Sequence, residues 1–161
     1  MKTTIAIGSI LALFIFSCTS PRQEKVQQTD FAGLESLLQQ SSDTVYVINF
    51  WATWCKPCIE ELPAFEQLNS EYAGQKVKVI LVSLDFPNRY NDQLLPFIEE
   101  HDVRSLVLHL TEVNANNWID RVDPAWSGAI PATLVYKGDD RDFYEQKLSY
   151  QELKTIVENK L

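Results

Sequence analysis

Two cysteines separated by two residues are the feature of this sequence with the clearest chemical potential. Cys55 and Cys58 follow an apolar, β-branched segment, residues 44–50, and open a segment with the apolar spacing of a helix. The free N–H groups and the positive dipole end at a helix N-terminus stabilise a thiolate. Because the thiolate is the form that attacks disulfides, this placement predicts redox exchange, with an exposed Cys55 as the attacking sulfur and Cys58 as the resolving sulfur.

The two residues between the cysteines fit the same interpretation. Pro57 suits the first turn of a helix because it has no N–H group that needs a partner there. Lys56 adds a cation that would lower the pKa of Cys55 further. A solvated Lys56 with little effect on the cysteine is an equally open interpretation.

Two other uses of a Cys-x-x-Cys pair fit the sequence less well. A zinc site needs a second pair of ligands, and the two histidines, His101 and His109, have a spacing that no usual zinc finger shows. A structural disulfide that closes so short a loop would add little stability, because the unfolded chain loses little entropy. Redox chemistry is therefore the favoured use.

The hydrophobic pattern predicts helices and strands that alternate along the chain. The predicted helices are 31–38 after the capping residue Asp30, 59–72 with Pro63 inside and Gly74 after it, 91–101 with Pro96 inside, 115–122, and a last helix that opens with the capping box Ser149 and Glu152. The predicted strands are 44–50, 77–84, 105–110, 132–137 and 142–147. This order predicts an α/β domain with a mixed sheet flanked by helices, in which the early strands are parallel and the last two form a hairpin.

The charge balance narrows the class of partner. Lys and Arg number 14 and Asp and Glu number 22, which gives a formal net charge of -8, and no basic cluster offsets it. Nucleic-acid binding is therefore not expected. No motif for a small-molecule cofactor is visible, and we expect neither a cofactor nor a metal.

The N-terminal residues are interpreted as a targeting signal. Residues 1–17 contain an apolar run that is too short to span a bilayer, as in a secretory signal. Cys18 follows, and the pattern resembles a bacterial lipoprotein signal, which implies lipidation of Cys18; a plain cleaved signal is the alternative. Residues 18–30 are predicted to form a flexible tether and residues 31–161 the folded domain. We expect a protein outside the cytoplasm, facing the periplasm and held at a membrane by lipid.

The segment Asn49–Cys58 (NFWATWCKPC) resembles the active-site segment of the thioredoxin superfamily. Its continuation to Pro63 resembles the extracytoplasmic branch related to TlpA and ResA, which are membrane-tethered thiol-disulfide oxidoreductases. The resemblance implies a thioredoxin-like fold, in which residues 87–122 look like the central insertion of that branch. It also implies an enzyme that exchanges disulfides with protein substrates.

The direction of electron flow is a further implication of the resemblance. Relatives of the ResA type reduce the haem-binding cysteines of apocytochromes, which favours a reductant that is itself reduced by a membrane thiol–disulfide electron donor. A disulfide-forming oxidant of the same fold is the alternative. A copper-binding metallochaperone fits less well, because related copper-binding lipoproteins have three residues between their cysteines. A peroxiredoxin would carry a Thr-x-x motif before a single reactive cysteine, and that motif is missing.

The same resemblance assigns a proton acceptor to the cysteine pair. Glu61 matches the active-site Glu of the ResA-like branch, whereas Asn49 stands where thioredoxin has a buried Asp. We expect partial burial to raise the pKa of Glu61, and we expect Glu61 to accept the proton of Cys58. A solvated carboxylate on the helix surface is the alternative.

A second loop is expected to face the cysteines. Residues 128–133 (GAIPAT) resemble the cis-proline loop of the superfamily. This implies a cis peptide bond before Pro131 and a backbone at Ile130 that pairs with an extended partner segment. Trp54 adjoins Cys55 and is expected on the partner-docking surface. The complete predicted partner-binding set is Trp54, Lys56, Pro57, Ile130 and Pro131.

The remaining aromatic and titratable residues are given structural positions. Trp51 is expected to pack against the active-site turn, and Trp118 and Trp126 in the core or a groove. His101 is assigned to a helix end, His109 to a strand surface and Asp85 to a loop or cap.

Overall fold

The computed structural model describes residues 26–161. The predicted signal at 1–17 and the predicted lipidation site Cys18 lie outside the described residues. Within residues 26–161, no helix has both the length and the apolar character needed to cross a bilayer.

Six strands and five α-helices form the described part of the chain. In chain order they are β1 (Val26–Thr29), α1 (Phe31–Leu38), β2 (Val45–Trp51), α2 (Lys56–Glu71), β3 (Val77–Ser83), α3 (Leu95–Glu100), β4 (Leu106–Leu110), α4 (Ile119–Val122), β5 (Ala132–Lys137), β6 (Asp140–Tyr144) and α5 (Tyr150–Glu158). Short 3₁₀ turns lie at Pro87–Arg89 and Ala115–Asn117, and a π-helical turn lies at Tyr90–Leu94.

The strands form one mixed sheet in the order β1-β4-β3-β2-β5-β6. β1, β4, β3 and β2 are parallel to one another, β5 is antiparallel to β2, and β6 is antiparallel to β5. The predicted fold class, an α/β domain with a mixed sheet flanked by helices, is confirmed. Since parallel strands share one carboxyl edge, the loops after β2, β3 and β4 all meet at the same end of the domain.

The local signals at the helix ends act as expected. The Asp30 carboxylate accepts a hydrogen bond from the Gly33 N–H at 2.9 Å and caps α1. Ser149 and Glu152 form a reciprocal capping box at the start of α5. Gly74, with a φ of 78°, follows the end of α2, where a residue without a side chain tolerates the left-handed backbone.

Strand β2 lies at the centre of the sheet, and all seven of its residues are buried. On one face the core includes side chains of α2, α3 and α5, among them Phe65, Ile98 and Leu153. The other face carries α1, α4 and an aromatic cluster in which the Phe50 ring lies 4.6 Å from the ring of Trp126 and 6.4 Å from that of Trp118. A central strand covered on both faces is fixed along its length, which makes its end a firm anchor for a site.

The prediction of a flexible tether over residues 18–30 is wrong for residues 26–29. These residues form β1, which pairs in parallel with β4, with Val26 opposite Val107. Val26 is 8% exposed and belongs to the core, although its neighbours in the strand are polar. The backbone of an edge strand forms hydrogen bonds with one neighbouring strand, and most of its side chains can face water. Its composition therefore resembles that of a loop.

The helix predicted over 91–101 is wrong in its first half. Residues 90–94 form the π-helical turn, and the regular helix α3 begins only at Leu95. Pro96 stands in the first turn of α3 instead of interrupting a longer helix. Proline lacks the N–H that a helix interior requires but fits the first turn, where that N–H has no partner.

The C-terminal hairpin is tighter than the sequence suggests. Lys137 pairs with Asp140, so the turn contains only Gly138 and Asp139 and β6 begins two residues before the predicted 142–147. Gly138 has a φ of 57°, which a two-residue hairpin turn requires.

Replacing Val26 tests whether residues 26–29 belong to the folded sheet. We expect Val26→Asn to lower the free energy of unfolding by about 1–3 kcal/mol, because it buries an amide in an apolar site. Gln27→Asn is the matched control, since Gln27 is exposed in the same strand, and it should change the free energy by less than about 0.5 kcal/mol. Equal effects in urea unfolding would show that β1 is not part of the cooperative fold.

Candidate active site

The cysteine pair lies where β2 passes into α2. Cys55 is the N-cap of α2, and its Sγ accepts a hydrogen bond from the Cys58 N–H at 3.4 Å. The two sulfurs are joined in a disulfide, with the Cα atoms 5.3 Å apart. Pro57 stands in the first turn of α2, as its missing N–H allows. The N-terminus of α2 is therefore directed at the sulfur of Cys55.

Both cysteines are more deeply buried than the sequence suggests. Cys55 is 6% exposed and Cys58 is not exposed at all, so the prediction of an exposed Cys55 is wrong. The carbonyl oxygen of Ile130 lies 3.7 Å from Cys55 Sγ. The loop before β5 thus contributes to covering the sulfur.

The loop at 128–133 contains the cis peptide bond that the resemblance implies. The bond lies between Ile130 and Pro131, and the Ile130 carbonyl lies beside Cys55. Glu145 fixes the backbone at the start of this loop. Its carboxylate accepts hydrogen bonds from the N–H of Ser127 at 3.0 Å, from the N–H of Ala129 at 3.2 Å, and from the Ser127 hydroxyl. These bonds also lower the pKa of Glu145, with the Ser127 hydroxyl as the main cause.

Glu61 is a buried carboxyl group and not a solvated one. It is 2% exposed, and its two oxygens accept hydrogen bonds from Asn49 Nδ2 at 2.8 Å and from the Leu148 N–H at 2.9 Å. Burial raises the pKa of Glu61 to about 7 and outweighs the lowering by these two donors. The predicted rise is confirmed, and its size matches a group that exchanges protons near neutral pH.

Asn49 connects Glu61 to the centre of the sheet. Its amide also donates to Thr133 Oγ1 at 3.1 Å, while its own Oδ1 has no hydrogen-bond partner within the described residues. The neighbouring Glu60 behaves differently, because it is solvent-exposed and its pKa is lowered by its ion pair with Lys147 at 2.8 Å. Two adjacent glutamates on one helix therefore have opposite electrostatic environments.

Asp85 lies in a loop, as the sequence predicts, but its contacts with the turn before Cys55 were not predicted. It is 1% exposed and accepts hydrogen bonds from the N–H and the hydroxyl of Thr53, at 3.2 Å and 2.5 Å, and from the Ser83 hydroxyl at 2.9 Å. The Leu84 N–H also donates to the Trp51 carbonyl at 2.8 Å. These bonds fix the turn between β2 and Cys55.

The prediction that His109 lies on a strand surface is wrong. His109 is fully buried, its ring stacks on Tyr90 at 5.2 Å, and its Nε2 lies 2.9 Å from the Asp85 carbonyl oxygen. A carbonyl only accepts, so Nε2 carries the hydrogen. The apolar residues on both sides of His109 in β4 are the signal for a strand buried on both faces.

The tryptophans around the pair divide as predicted. Trp51 is fully buried and its ring lies 5.4 Å from that of Phe97, whereas Trp54 beside Cys55 is 56% exposed. Lys56 is exposed as well. An exposed aromatic side chain therefore stands next to the buried Cys55.

The residues at the site include two sulfur atoms joined in a disulfide. Within residues 26–161, no group of three or more His, Cys, Asp or Glu side chains is arranged to hold a metal ion. The pair forms a disulfide, and the buried carboxyl group of Glu61 lies on the same helix.

Comparison with known proteins agrees with this geometry. The model of the AhpC/TSA family matches residues 22–140, which is more than half of the chain. The chain belongs to the AhpC/TSA family. Together with the relatives below, this match confirms the predicted membership of the thioredoxin superfamily in its TlpA/ResA-like branch.

Two curated relatives and one solved structure illustrate the similarity. The chain is 37% identical over 91 residues to the thioredoxin-like protein YneN of Bacillus subtilis, covering 53% of each chain. It is 43% identical over 87 residues to the thiol-disulfide oxidoreductase ResA of Oceanobacillus iheyensis, covering 54% of this chain and 38% of that protein. The chain thus spans about half or less of the length of these relatives. A thioredoxin-related protein from Neisseria meningitidis superposes with a TM-score of 0.64 at 25% identity, covering 76% of this chain and 89% of that one.

The raised pKa of Glu61 predicts a pH-dependent stability. Because Glu61 holds its proton up to about pH 7 in the folded chain but only up to its ordinary value of 4.5 when unfolded, the folded state binds more protons between these values. The free energy of unfolding of the wild type, measured relative to Glu61→Gln, should therefore fall as pH rises from 4.5 to 7, by up to about 3 kcal/mol.

Glu60→Gln is the matched control for this measurement. The pKa of Glu60 is lowered, so the stability that its ion pair adds is present above its ordinary pKa and is lost as pH falls. The Glu60 comparison should therefore show the opposite slope, at lower pH and with a smaller amplitude. A flat difference between wild type and Glu61→Gln across pH 4.5–7 would contradict the environment assigned to Glu61.

Proposed function

We propose that this chain is a thiol–disulfide oxidoreductase that exchanges disulfides with protein partners through Cys55 and Cys58. The observation that carries the proposal is the joined sulfur pair at the N-terminus of α2, with the Ile130 carbonyl beside it. The similarity to a protein named as a thiol-disulfide oxidoreductase supports it. A helix N-terminus lowers the pKa of a cysteine, and a buried carboxyl group with a pKa near 7 is suited to proton transfer, so both features serve exchange chemistry.

In the first step, reduced Cys55 attacks the partner disulfide. Its thiolate is stabilised by the Cys58 N–H and by the N-terminus of α2. A bond forms between Cys55 Sγ and one partner sulfur, the partner S–S bond breaks, and the other partner sulfur leaves as a thiolate that takes up a proton. The product is a mixed disulfide between the two proteins.

In the second step, Cys58 resolves the mixed disulfide. Glu61 lies one helical turn after Cys58 and, with its pKa near 7, accepts the Cys58 proton at neutral pH. The Cys58 thiolate attacks Cys55 Sγ, the Cys55–Cys58 bond forms, and the second partner sulfur leaves as a thiolate that is then protonated. Two electrons have passed to the partner, and this chain is left as the disulfide.

The partner is held as an extended segment in this proposal. The backbone of Ile130 pairs with that segment, a form of strand addition, and the exposed ring of Trp54 contacts it from the other side of the sulfurs. Pro131, Pro57 and Lys56 complete the docking set. Proline at 131 has no N–H to donate and no ligand atom in its side chain, so its side chain contributes shape.

We further propose that the chain acts as a reductant. After each cycle the Cys55–Cys58 disulfide requires two electrons from a thiol donor, and a membrane thiol–disulfide donor supplies them. Substrates of the ResA-like kind, such as the haem-binding cysteines of apocytochrome c, fit this direction. The same exchange runs in the opposite direction when an oxidant keeps the pair in its disulfide form, so the reduction potential of the pair decides between the two directions.

The proposed location is outside the cytoplasm at a membrane surface. The support is the pattern of residues 1–17, followed by Cys18, which carries the lipid anchor in this proposal. Acyl chains on Cys18 contribute about 0.8 kcal/mol per buried CH₂ and more than one chain makes the anchoring stable. The domain would then act close to a membrane electron donor.

Replacing Cys58 tests the exchange mechanism. Cys58→Ser removes the resolving sulfur, so Cys55 should accumulate partners as mixed disulfides that separate on a non-reducing gel and disappear with dithiothreitol. Cys55→Ser is the matched control and should trap none, since Cys58 is fully buried. Equal trapping by both variants, or none by Cys58→Ser under oxidising conditions, would contradict the assignment.

Replacing Cys18 tests the anchor. The full chain expressed in a bacterium should incorporate labelled palmitate and sediment with membranes, and Cys18→Ser should lose both properties. Ser17→Ala is a control that keeps the cysteine and a small residue before it. If the Cys18→Ser variant sedimented with membranes but carried no label, the chain would be attached to the membrane by something other than a lipid on Cys18, which would contradict the proposed anchor.

A further inference from the structure

A small cavity of about 110 Å³ opens beside the redox pair, at the same end of the domain. Its walls come from the loops after β3 and β4, from the segment leading into α4, and from the start of the loop that carries Ile130. Nothing in the exchange mechanism above uses it. We name it the side-chain pocket, defined by Leu84, Phe86, Val113, Trp118, Ile119 and Gly128 among its lining residues.

The side-chain pocket is apolar, and the indole N–H groups of its two tryptophans, Trp118 and Trp126, both have hydrogen-bond acceptors. Trp118 Nε1 donates to the Glu112 carbonyl at 3.2 Å and Trp126 Nε1 donates to the Ala129 carbonyl at 2.8 Å. The two charged residues in its lining, Asp85 and Glu112, are both acidic, and the lining contains no Lys or Arg. The pocket therefore favours an uncharged apolar group and rejects a carboxylate.

The mouth of the pocket is lined by exposed hydrophobic side chains. Within residues 26–161, four large hydrophobic residues are prominently exposed: Trp54 at 56%, Phe86 at 59%, Val113 at 67% and Leu161 at 54%. Phe86 and Val113 both line the pocket, although they come from different loops. Exposed apolar residues that converge on one concave site indicate a surface that is covered by a partner, whereas scattered ones carry no such meaning.

The pocket lies near the redox site, because its lining residue Asp85 accepts a hydrogen bond from Thr53, two residues before Cys55. Its wall residue Leu84 donates a backbone hydrogen bond to Trp51, at the start of the cysteine turn, at 2.8 Å. Gly128 is two residues before Ile130, whose carbonyl lies 3.7 Å from Cys55 Sγ. A polypeptide that reaches Cys55 along this loop therefore also passes over the pocket.

Gly128 keeps that path open. Its φ of 95° is one that side-chain-bearing residues rarely adopt, and a Cβ at this position would lie 3.0 Å from the Ile119 side chain in the pocket wall. Glycine thus gives the loop its turn and leaves the pocket wall free of a further side chain.

We propose that the side-chain pocket receives an aliphatic side chain that the partner polypeptide carries about two residues from the cysteine attacked by Cys55. The inference rests on the proposed function, whose substrate class it narrows. An extended segment advances about 3.3 Å per residue, so two residues cover the distance that the loop spans between Ile130 and Gly128. The pocket is smaller than the cavity of about 150 Å³ that holds a benzene ring, so it suits an aliphatic group better than an aromatic ring.

Peptide disulfides of defined sequence test the inference. The probes are synthetic peptides, each bearing one cysteine in a mixed disulfide with glutathione, with Leu, Asp or Trp placed two residues before or after that cysteine. The reduced wild-type chain should reduce the best Leu peptide roughly tenfold faster, as kcat/KM, than the Asp or Trp peptide with the same placement.

Variants at the mouth of the pocket provide the second arm. Phe86→Ser and Val113→Ser should bring the Leu-to-Asp ratio to within about twofold of unity. Leu161→Ser is the matched control, because it removes an equally exposed hydrophobic residue far along the chain from the pocket, and it should keep the wild-type ratio. A wild-type ratio near one at both placements, or a ratio that falls equally in Leu161→Ser, would overturn the inference.

A small disulfide separates failure of the pocket from failure of the proposed function. Reduction of 5,5′-dithiobis(2-nitrobenzoic acid), which carries no peptide side chain, should proceed at the same rate in wild type and all three variants. If this reduction is intact and peptide selectivity is absent, the pocket assignment is wrong while disulfide exchange stands. If neither the small disulfide nor the peptides are reduced, both the proposed function and the pocket assignment are overturned.

Discussion

The short connection between a buried strand and a helix N-terminus is the constraint on which the site depends. β2 is paired on both sides and covered on both faces, so its last residue, Trp51, has a fixed position. Only residues 52–54 separate it from Cys55, and the hydrogen bonds of Asp85 to Thr53 hold that turn. The sulfur pair is therefore placed by the sheet, and the helix dipole acts on a sulfur that has little freedom to move away.

Burial of Glu61 gives this arrangement a carboxyl group with a raised pKa, at a cost in stability. An ionised carboxylate is disfavoured in a site that is 2% exposed, even with two donors on its oxygens. The folded chain tolerates the group because it keeps its proton up to about pH 7. The same property that weakens the fold above that pH suits Glu61 to the proposed transfer of the Cys58 proton, a combination that is common at active sites.

Local patterns in the sequence predicted the parts of the fold and site that are themselves local. The cysteine spacing, the capping residues Asp30 and Ser149, and the buried run of β2 each act within a few residues. The contacts that were missed join distant residues: Asp85 binds Thr53 across 32 positions, and Leu148 binds Glu61 across 87. A short polar edge strand such as β1 was missed for the same reason, since only its pairing with β4 distinguishes it from a loop.

The reduction potential of the Cys55–Cys58 disulfide, measured by equilibration with glutathione buffers at pH 7, tests the central claim most directly. Reduction of a partner disulfide, the proposed direction, requires a cysteine pair whose disulfide form is not strongly oxidising. The account predicts a potential at or below about −200 mV, in the range of glutaredoxins and thioredoxin. A potential near about −120 mV would contradict it, because such a pair donates disulfides instead of reducing them.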